Sequence, residues 1–201
     1  MAVPCDRLFG DLVPRDERKV DPAKRAMVPD GEPRSAPGRA FALLNNLATM
    51  DRDTYLRSLP RAYRASAALI LDGEGRILMV QPTYKRHAEP PGGVVEAGET
   101  PAQACVRECR EELGVDVEVT QLLAVDHQTK PEPAGDSSMF VYGVAFTDPD
   151  AEFTLPPREL SSWRYVPHDE LGQVTRPRIA ARLAAAWQAA QDGGVAEIGA
   201  S

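Results

Sequence analysis

The sequence predicts an α/β fold in which helices sandwich a mixed sheet, preceded by an N-terminal extension. Three observations carry this. Between residues 62 and 192, short β-rich runs alternate with helical segments in the order strand, strand, helix, strand, strand, strand, helix. The first helical segment, 101–113, has a start signal at one end and a stop signal at the other. The second, 178–191, has the clearest apolar stripe in the chain.

Taken in order, residues 1–61 read as the extension. Pro4, Pro14, Pro22, Pro29, Pro33 and Pro37 interrupt any regular element up to about Arg39. This leader is expected to be extended or disordered, or a strap packed on a partner subunit, which is the basis for expecting a homodimer. Residues 40–50 (AFALLNNLATM) suit a short apolar helix, and residues 51–59 a second one capped by Asp51 or Asp53. Met27 and Met50 are alternative starts that would leave the rest unchanged. The ordered domain is expected over 62–192, with 193–201 as a tail.

Runs 66–71 and 76–81 flank Asp72-Gly73-Glu74-Gly75, a hairpin signal. Residues 82–92 form a loop carrying Tyr84, Lys85, Arg86 and His87, a set able to meet a nucleotide or phosphate. Pro90, Pro91, Gly92 and Gly93 then make a stiff turn with bare backbone. Thr100, Pro101 and Gln103 are the N-cap, first helical residue and capping-box partner of the helix over 101–113, and Gly114 ends it. Strands follow over 115–125, 139–147 and 163–166, with a Pro/Gly-rich loop between the first two. Ile179, Leu183, Ala186, Trp187 and Ala190 mark the buried stripe of the closing helix.

A chain of 201 residues holds one ordinary domain and an appendage. Its net charge of −7 argues against a non-specific nucleic-acid binder, which needs a basic stripe. It leaves phosphorylated substrates open, since a bound cation inverts local electrostatics. The three cysteines, Cys5, Cys105 and Cys109, form no C-x-x-C pair and no disulfide framework, so small core residues are the expected role. No secretory leader follows Met1 and no apolar run reaches membrane-spanning length, so a cytoplasmic location is the expectation.

The chemistry concentrates at residues 92–115, GGVVEAGETPAQACVRECREELGV. Glu108, Glu111 and Glu112 fall at i, i+3 and i+4, on one helix face. Carboxylates crowded this way repel one another unless something positive sits among them. Mg²⁺, a hard cation that takes oxygen ligands and usually touches phosphate, suits that setting. A solvated helix face would also show Arg and Glu at helical spacing. It would not place Gly92-Gly93, Glu99, the capping box and Gly114 in register with the acidic triplet.

This segment resembles the Nudix box: G, five residues, E, seven residues, R-E-U-x-E-E-x-G-U, where U is aliphatic. Gly93, Glu99, Arg107-Glu108, Glu111-Glu112, Gly114 and Val115 match it, with Cys109 at the first U position in place of Leu or Ile. The resemblance implies a Nudix-like α/β/α sandwich and a Mg²⁺-dependent pyrophosphohydrolase, with Mn²⁺ as a substitute cation. It assigns Glu108, Glu111 and Glu112 as metal ligands and the Gly92 carbonyl as a further one. It places Arg107 as the group orienting Glu99 or Glu108. Many family members take their base from a later loop ahead of a strand like R-W-V. Glu159 precedes Trp163-Arg164-Tyr165-Val166 in that manner, as base or third-metal ligand. Glu111 or Glu112 could instead hold the nucleophilic water.

The expected substrate is a nucleoside diphosphate linked to another moiety, of the sugar or ADP-ribose type. Pro131, 16 residues beyond Val115, has a spacing that resembles the ADP-ribose enzymes. Related sequences often carry W-E-I/L-P-G-G before the box, whereas this chain has Ala88-Glu89-Pro90-Pro91-Gly92-Gly93. The alternatives are a sanitising nucleoside triphosphate pyrophosphatase and a non-catalytic Nudix-fold nucleotide sensor.

Overall fold

Period-2 alternation assigns each strand two faces, and in the computed structural model, which describes residues 51–131 and 135–199, those faces lead to two different cores. Leu69, Ile77 and Met79 pack with Leu123, Val141, Leu183 and Ala186. Their neighbours Ala68, Ile70, Leu78 and Val80 pack with Cys105, Cys109, Leu113 and Val117. The β-structure therefore lies between two helices, α2 (Pro101–Leu113) and α4 (Pro177–Asp192), one on each side.

The strands are β1 (Ala62–Leu69), β2 (Ile77–Pro82), β3 (Gly92–Val94), β4 (Val117–Gln128), β5 (Asp136–Phe146), β6 (Leu160–Val166) and β7 (Ala196–Ile198). A five-stranded sheet has the order β3-β1-β5-β4-β7, and β2 and β6 form a separate antiparallel pair. The larger sheet is mixed: β1 runs antiparallel to β3 but parallel to β5, and β4 antiparallel to β5 but parallel to β7. A 3-10 turn (His168–Glu170) and the short helix α3 (Leu171–Val174) lead into α4. This is the mixed-sheet α/β architecture expected from the sequence.

Several elements differ from expectation. The Asp72–Gly75 turn does form, with Asp72 Oδ1 accepting from the backbone N–H groups of Glu74 and Arg76. It does not close a regular hairpin, because beyond an isolated bridge at Leu71 and Ile77 the two strands part, β1 to β3 and β5, β2 to β6. Turn chemistry is local, whereas strand partners are chosen by where each apolar face finds cover. The strands over 115–125 and 139–147 are longer or shifted, pairing over Val117–Gln128 and Asp136–Phe146. Residues 193–201, expected as a tail, contribute β7 to the edge of the sheet.

Ahead of this domain, helix α1 (Arg52–Ser58) matches the helix expected over 51–59. Asp51 is its cap, accepting from the N–H groups of Asp53 and Thr54. The expected leader and the helix over 40–50 lie outside the described residues.

Candidate active site

Helix α2 begins and ends at its caps. Thr100 Oγ1 accepts from the Gln103 N–H and Gln103 Oε1 accepts from the Thr100 N–H at 2.8 Å. Such a cap contributes about 1 kcal/mol and sets the helix register. Gly114 closes the helix at φ 72°, in the left-handed region. Cys105, Cys109 and Leu113 are fully buried at four-residue spacing, which makes both cysteines packing residues.

Strand β3 packs against the acidic flank of this helix. The Gly92 N–H donates to Glu112 Oε2 at 2.9 Å. A Cβ on Gly93 would lie 2.3 Å from Glu108 Oε1, and one on Gly92 2.2 Å from the Ser66 carbonyl oxygen. Glycine at both positions lets the strand touch β1 and the carboxylates without displacing either.

Arg107 gathers the acids around itself. Its Nη2 donates to Glu99 Oε1 at 2.8 Å and to the Val94 carbonyl at 3.0 Å. Its Nη1 donates to Glu108 Oε1 at 2.8 Å and Glu111 Oε2 at 2.9 Å. Glu99 is pulled below the usual carboxylate range by the Arg107 hydrogen bond, with the Glu96 N–H adding to it. Glu108 moves up instead, because burial outweighs the attraction of Arg107.

Glu112 has no guanidinium. Burial pushes its carboxyl up to about 7 against the pull of the Gly92 N–H, and the charges of Glu108, Glu159 and Glu89 push the same way. Glu112 lines a cavity of about 660 Å³ together with Gly92, Gly93, Glu89 and Glu159. Five basic side chains line the same space: Lys85, Lys130, Arg176, Arg178 and Arg182. Tyr63 and Tyr84 line it too and are 45% and 74% exposed, so their rings are open to a ligand.

Of the residues singled out from the sequence, Gly92, Glu112 and Glu159 come together in this cavity. Glu108 and Glu111 remain on the helix in contact with Arg107, outside the cavity lining. From the preceding loop Tyr84 and Lys85 face the cavity, while Arg86 and His87 do not line it. Lys85 is paired with Glu89 at 2.6 Å.

The donor set fits a hard divalent cation. Glu112 is a largely buried carboxylate among other carboxylates, with a single backbone N–H as its hydrogen-bond donor. The ligands are not already gathered, since among the described residues no three acidic, His or Cys side chains converge as a ready coordination set. Arg107 holds Glu108 and Glu111 where a cation would compete for them.

The sequence profile described as the NUDIX domain matches residues 61–188, and the chain belongs to this family. Family members are hydrolases acting on diphosphate bonds. YjhB of Bacillus subtilis (strain 168), provisionally named an ADP-ribose pyrophosphatase, is 31% identical over 109 residues, 52% of this chain and 50% of that protein. The 8-oxo-dGTP diphosphatase of Proteus vulgaris is 40% identical over 62 residues, 29% of this chain and 55% of that protein. The chain thus spans about half the length of the curated relatives it matches. A crystal structure of a UDP-X diphosphatase shares the fold at TM-score 0.59 and 21% identity, covering 78% of this chain and 80% of that one.

Sequence reasoning missed Asp126 and the arginines of α4. Asp126 is completely buried, and burial is overcome by hydrogen bonds from Arg178 and Arg182 that hold its carboxyl below the usual range. A signal was present: Arg178 and Arg182 are one helical turn apart, and Arg182 adjoins Leu183 on the buried face of an apolar helix. Among the described residues, no helix is long and apolar enough to cross a membrane.

Proposed function

We propose that this protein is a Mg²⁺-dependent pyrophosphohydrolase acting on a nucleoside diphosphate linked to another moiety. One observation carries the reading: a single cavity brings Glu112 and Glu159 together with five basic side chains. An anionic substrate needs the basic lining, and the carboxylates are the residues that would hold a cation.

Glu108, Glu111 and Glu112 would hold Mg²⁺, with the Gly92 carbonyl as a further donor. A cation held by these residues would supply charge neutralisation for the diphosphate oxygens and make water more acidic. Arg107 orients Glu99, Glu108 and Glu111 through its four side-chain carboxylate contacts. In hydrolysis the water oxygen bonds to one phosphorus, the bridging P–O bond breaks, and the bridging oxygen leaves on the second phosphate. Glu112 and Glu159 both line the cavity and either would take the water's proton, with Glu159 the alternative metal ligand. Tyr63 and Tyr84 offer rings to the nucleobase.

The names of the relatives support diphosphate chemistry and divide over the substrate: ADP-ribose for one, 8-oxo-dGTP for another. A screen of nucleoside diphosphate derivatives and triphosphates with Mg²⁺, with products identified, decides between them. Nucleoside monophosphate plus a phosphorylated second moiety is the expected result. Inorganic pyrophosphate would make the protein a triphosphate-sanitising enzyme, and binding without hydrolysis under Mg²⁺ and Mn²⁺ would make it a sensor.

A further inference from the structure

Two guanidiniums in this cavity share a single carboxylate. Arg178 donates from Nη2 to Asp126 Oδ1 at 2.5 Å and from Nε to Oδ2 at 3.1 Å. Arg182 donates from Nη2 and Nε to Oδ2 at 2.6 and 2.9 Å. One negative charge thus faces two positive ones. The Nη1 group of each arginine has no protein partner among the described residues, although Arg182 is 5% exposed and lines the cavity. Arg176, the residue before α4, and Lys130, just beyond the end of β4, also line the cavity, and neither side chain is paired among the described residues.

We infer that Arg176, Arg178 and Arg182, with Lys130, form a second anion subsite for a phosphate or carboxylate carried on the substrate outside the cleaved diphosphate. The inference rests on the proposed hydrolase reading for what the subsite serves, but its geometry is independent of the box. Helices α2 and α4 belong to opposite cores, so the cavity reaches the acidic box on one layer and the arginines on the other. Asp126, on β4, fixes the Nε and Nη2 edges of both guanidiniums and leaves Nη1 for a ligand. A planar guanidinium held in this way has lost its side-chain freedom before the ligand arrives, which strengthens charge-assisted binding. The substrate class is therefore a nucleoside diphosphate derivative with an additional anionic group, either a sugar acid or a phosphorylated ribose.

Binding is measured first, on the full-length protein stripped of cations, with inorganic phosphate as the probe and calorimetry as the readout. Without a cation the box carboxylates repel phosphate, so the signal reports the arginines. The wild type is expected to bind phosphate, and Arg176→Gln to weaken it on the order of tenfold, the scale of one charge-assisted contact. Lys130→Gln is expected to weaken it in the same direction. No binding by the wild type, or equal binding by the wild type and both variants, overturns the subsite.

Two substrate pairs then identify the source of the anion: UDP-glucuronate against UDP-glucose, and 2′-phosphorylated ADP-ribose against ADP-ribose. The kcat/KM ratio of the charged over the uncharged member is expected to fall in Arg176→Gln through KM of the charged member. A fall in the first pair points to a sugar acid and in the second to a ribose phosphate, whereas no change in either ratio overturns the proposal. Phosphate binding that depends on Arg176, in a protein that cleaves no diphosphate, would sink the hydrolase reading and keep the subsite. Cleavage without such binding would do the reverse.

Discussion

The Gly92 N–H is bonded to Glu112 Oε2 at 2.9 Å, which ties the strand before the box helix to the last glutamate of the triplet. Glu112 is thereby fixed at the cavity wall while Glu108 and Glu111 turn to Arg107. The box carboxylates are therefore unequal before any cation arrives.

That inequality predicts different mutational outcomes. Glu112→Gln is expected to reduce Mg²⁺-dependent kcat by roughly 10²–10⁴-fold, the range for losing a positioned acid–base group. Glu111→Gln should also abolish turnover if it ligates the cation, with the circular dichroism spectrum unchanged in both variants. Near wild-type kcat in both would remove the site assigned to α2.

Glu112 also makes stability depend on pH. A carboxyl raised to about 7 in the folded protein titrates well above its unfolded value. The folded state then binds the extra proton, so its contribution is full below the unfolded pKa and is lost as pH rises towards 7. In the cation-free protein this amounts to on the order of 3 kcal/mol at most. Urea titrations across pH 4 to 8 should show a decline in wild type that is shallower in Glu112→Gln.

Asp126 predicts the opposite sign. Its carboxyl is held low by Arg178 and Arg182, so its contribution is present above the unfolded pKa and disappears as pH falls through the depressed folded value. Asp126→Asn leaves buried Arg182 without its charge partner and should cost about 3–5 kcal/mol. Replacing Arg182 with Met in the same chain should recover part of that loss in thermal melts. An Asp126→Asn protein as stable as wild type would contradict the pairing.

The glycine pair separates folding from activity. Gly92→Ala places a Cβ 2.2 Å from the Ser66 carbonyl oxygen and 2.6 Å from the Ala67 Cα, both backbone, at φ 152°. Loss of soluble folded protein is the expected result. At Gly93→Ala the nearest atoms to the added Cβ belong to the end of the Glu108 side chain, which can swing away. It should keep its melting temperature within a few degrees and lose catalytic rate, and an active Gly93→Ala enzyme would mean that Glu108 has no fixed role.

How much the sequence reveals depends on the range of the interaction. Helix α2 was legible to the residue because Thr100, Gln103 and Gly114 act within one turn of its ends. The closing helix was legible from its apolar period, but Arg182 was hidden by the same pattern, which counts only apolar residues. Its reason for being buried, Asp126, lies 56 residues earlier. The parting of β1 from β2 was hidden too, because the Asp72–Gly75 turn satisfies its own hydrogen bonds whichever strands follow. Within the cavity, helical spacing singled out Glu112 and the family resemblance singled out Glu159, whereas the basic lining comes from three separate segments that only the fold brings together.

The pairing of β2 with β6 has a kinetic consequence. Ser161 Oγ donates to the Gln81 carbonyl across 80 residues, so this ladder waits for a long loop to close. A chain emerging from the ribosome can wind α2 and cap it as soon as residue 114 is made. Glu159 reaches its place only with β6, and the arginines only with α4. The acidic helix is thus among the earliest elements able to form, and the enclosure around it is assembled last.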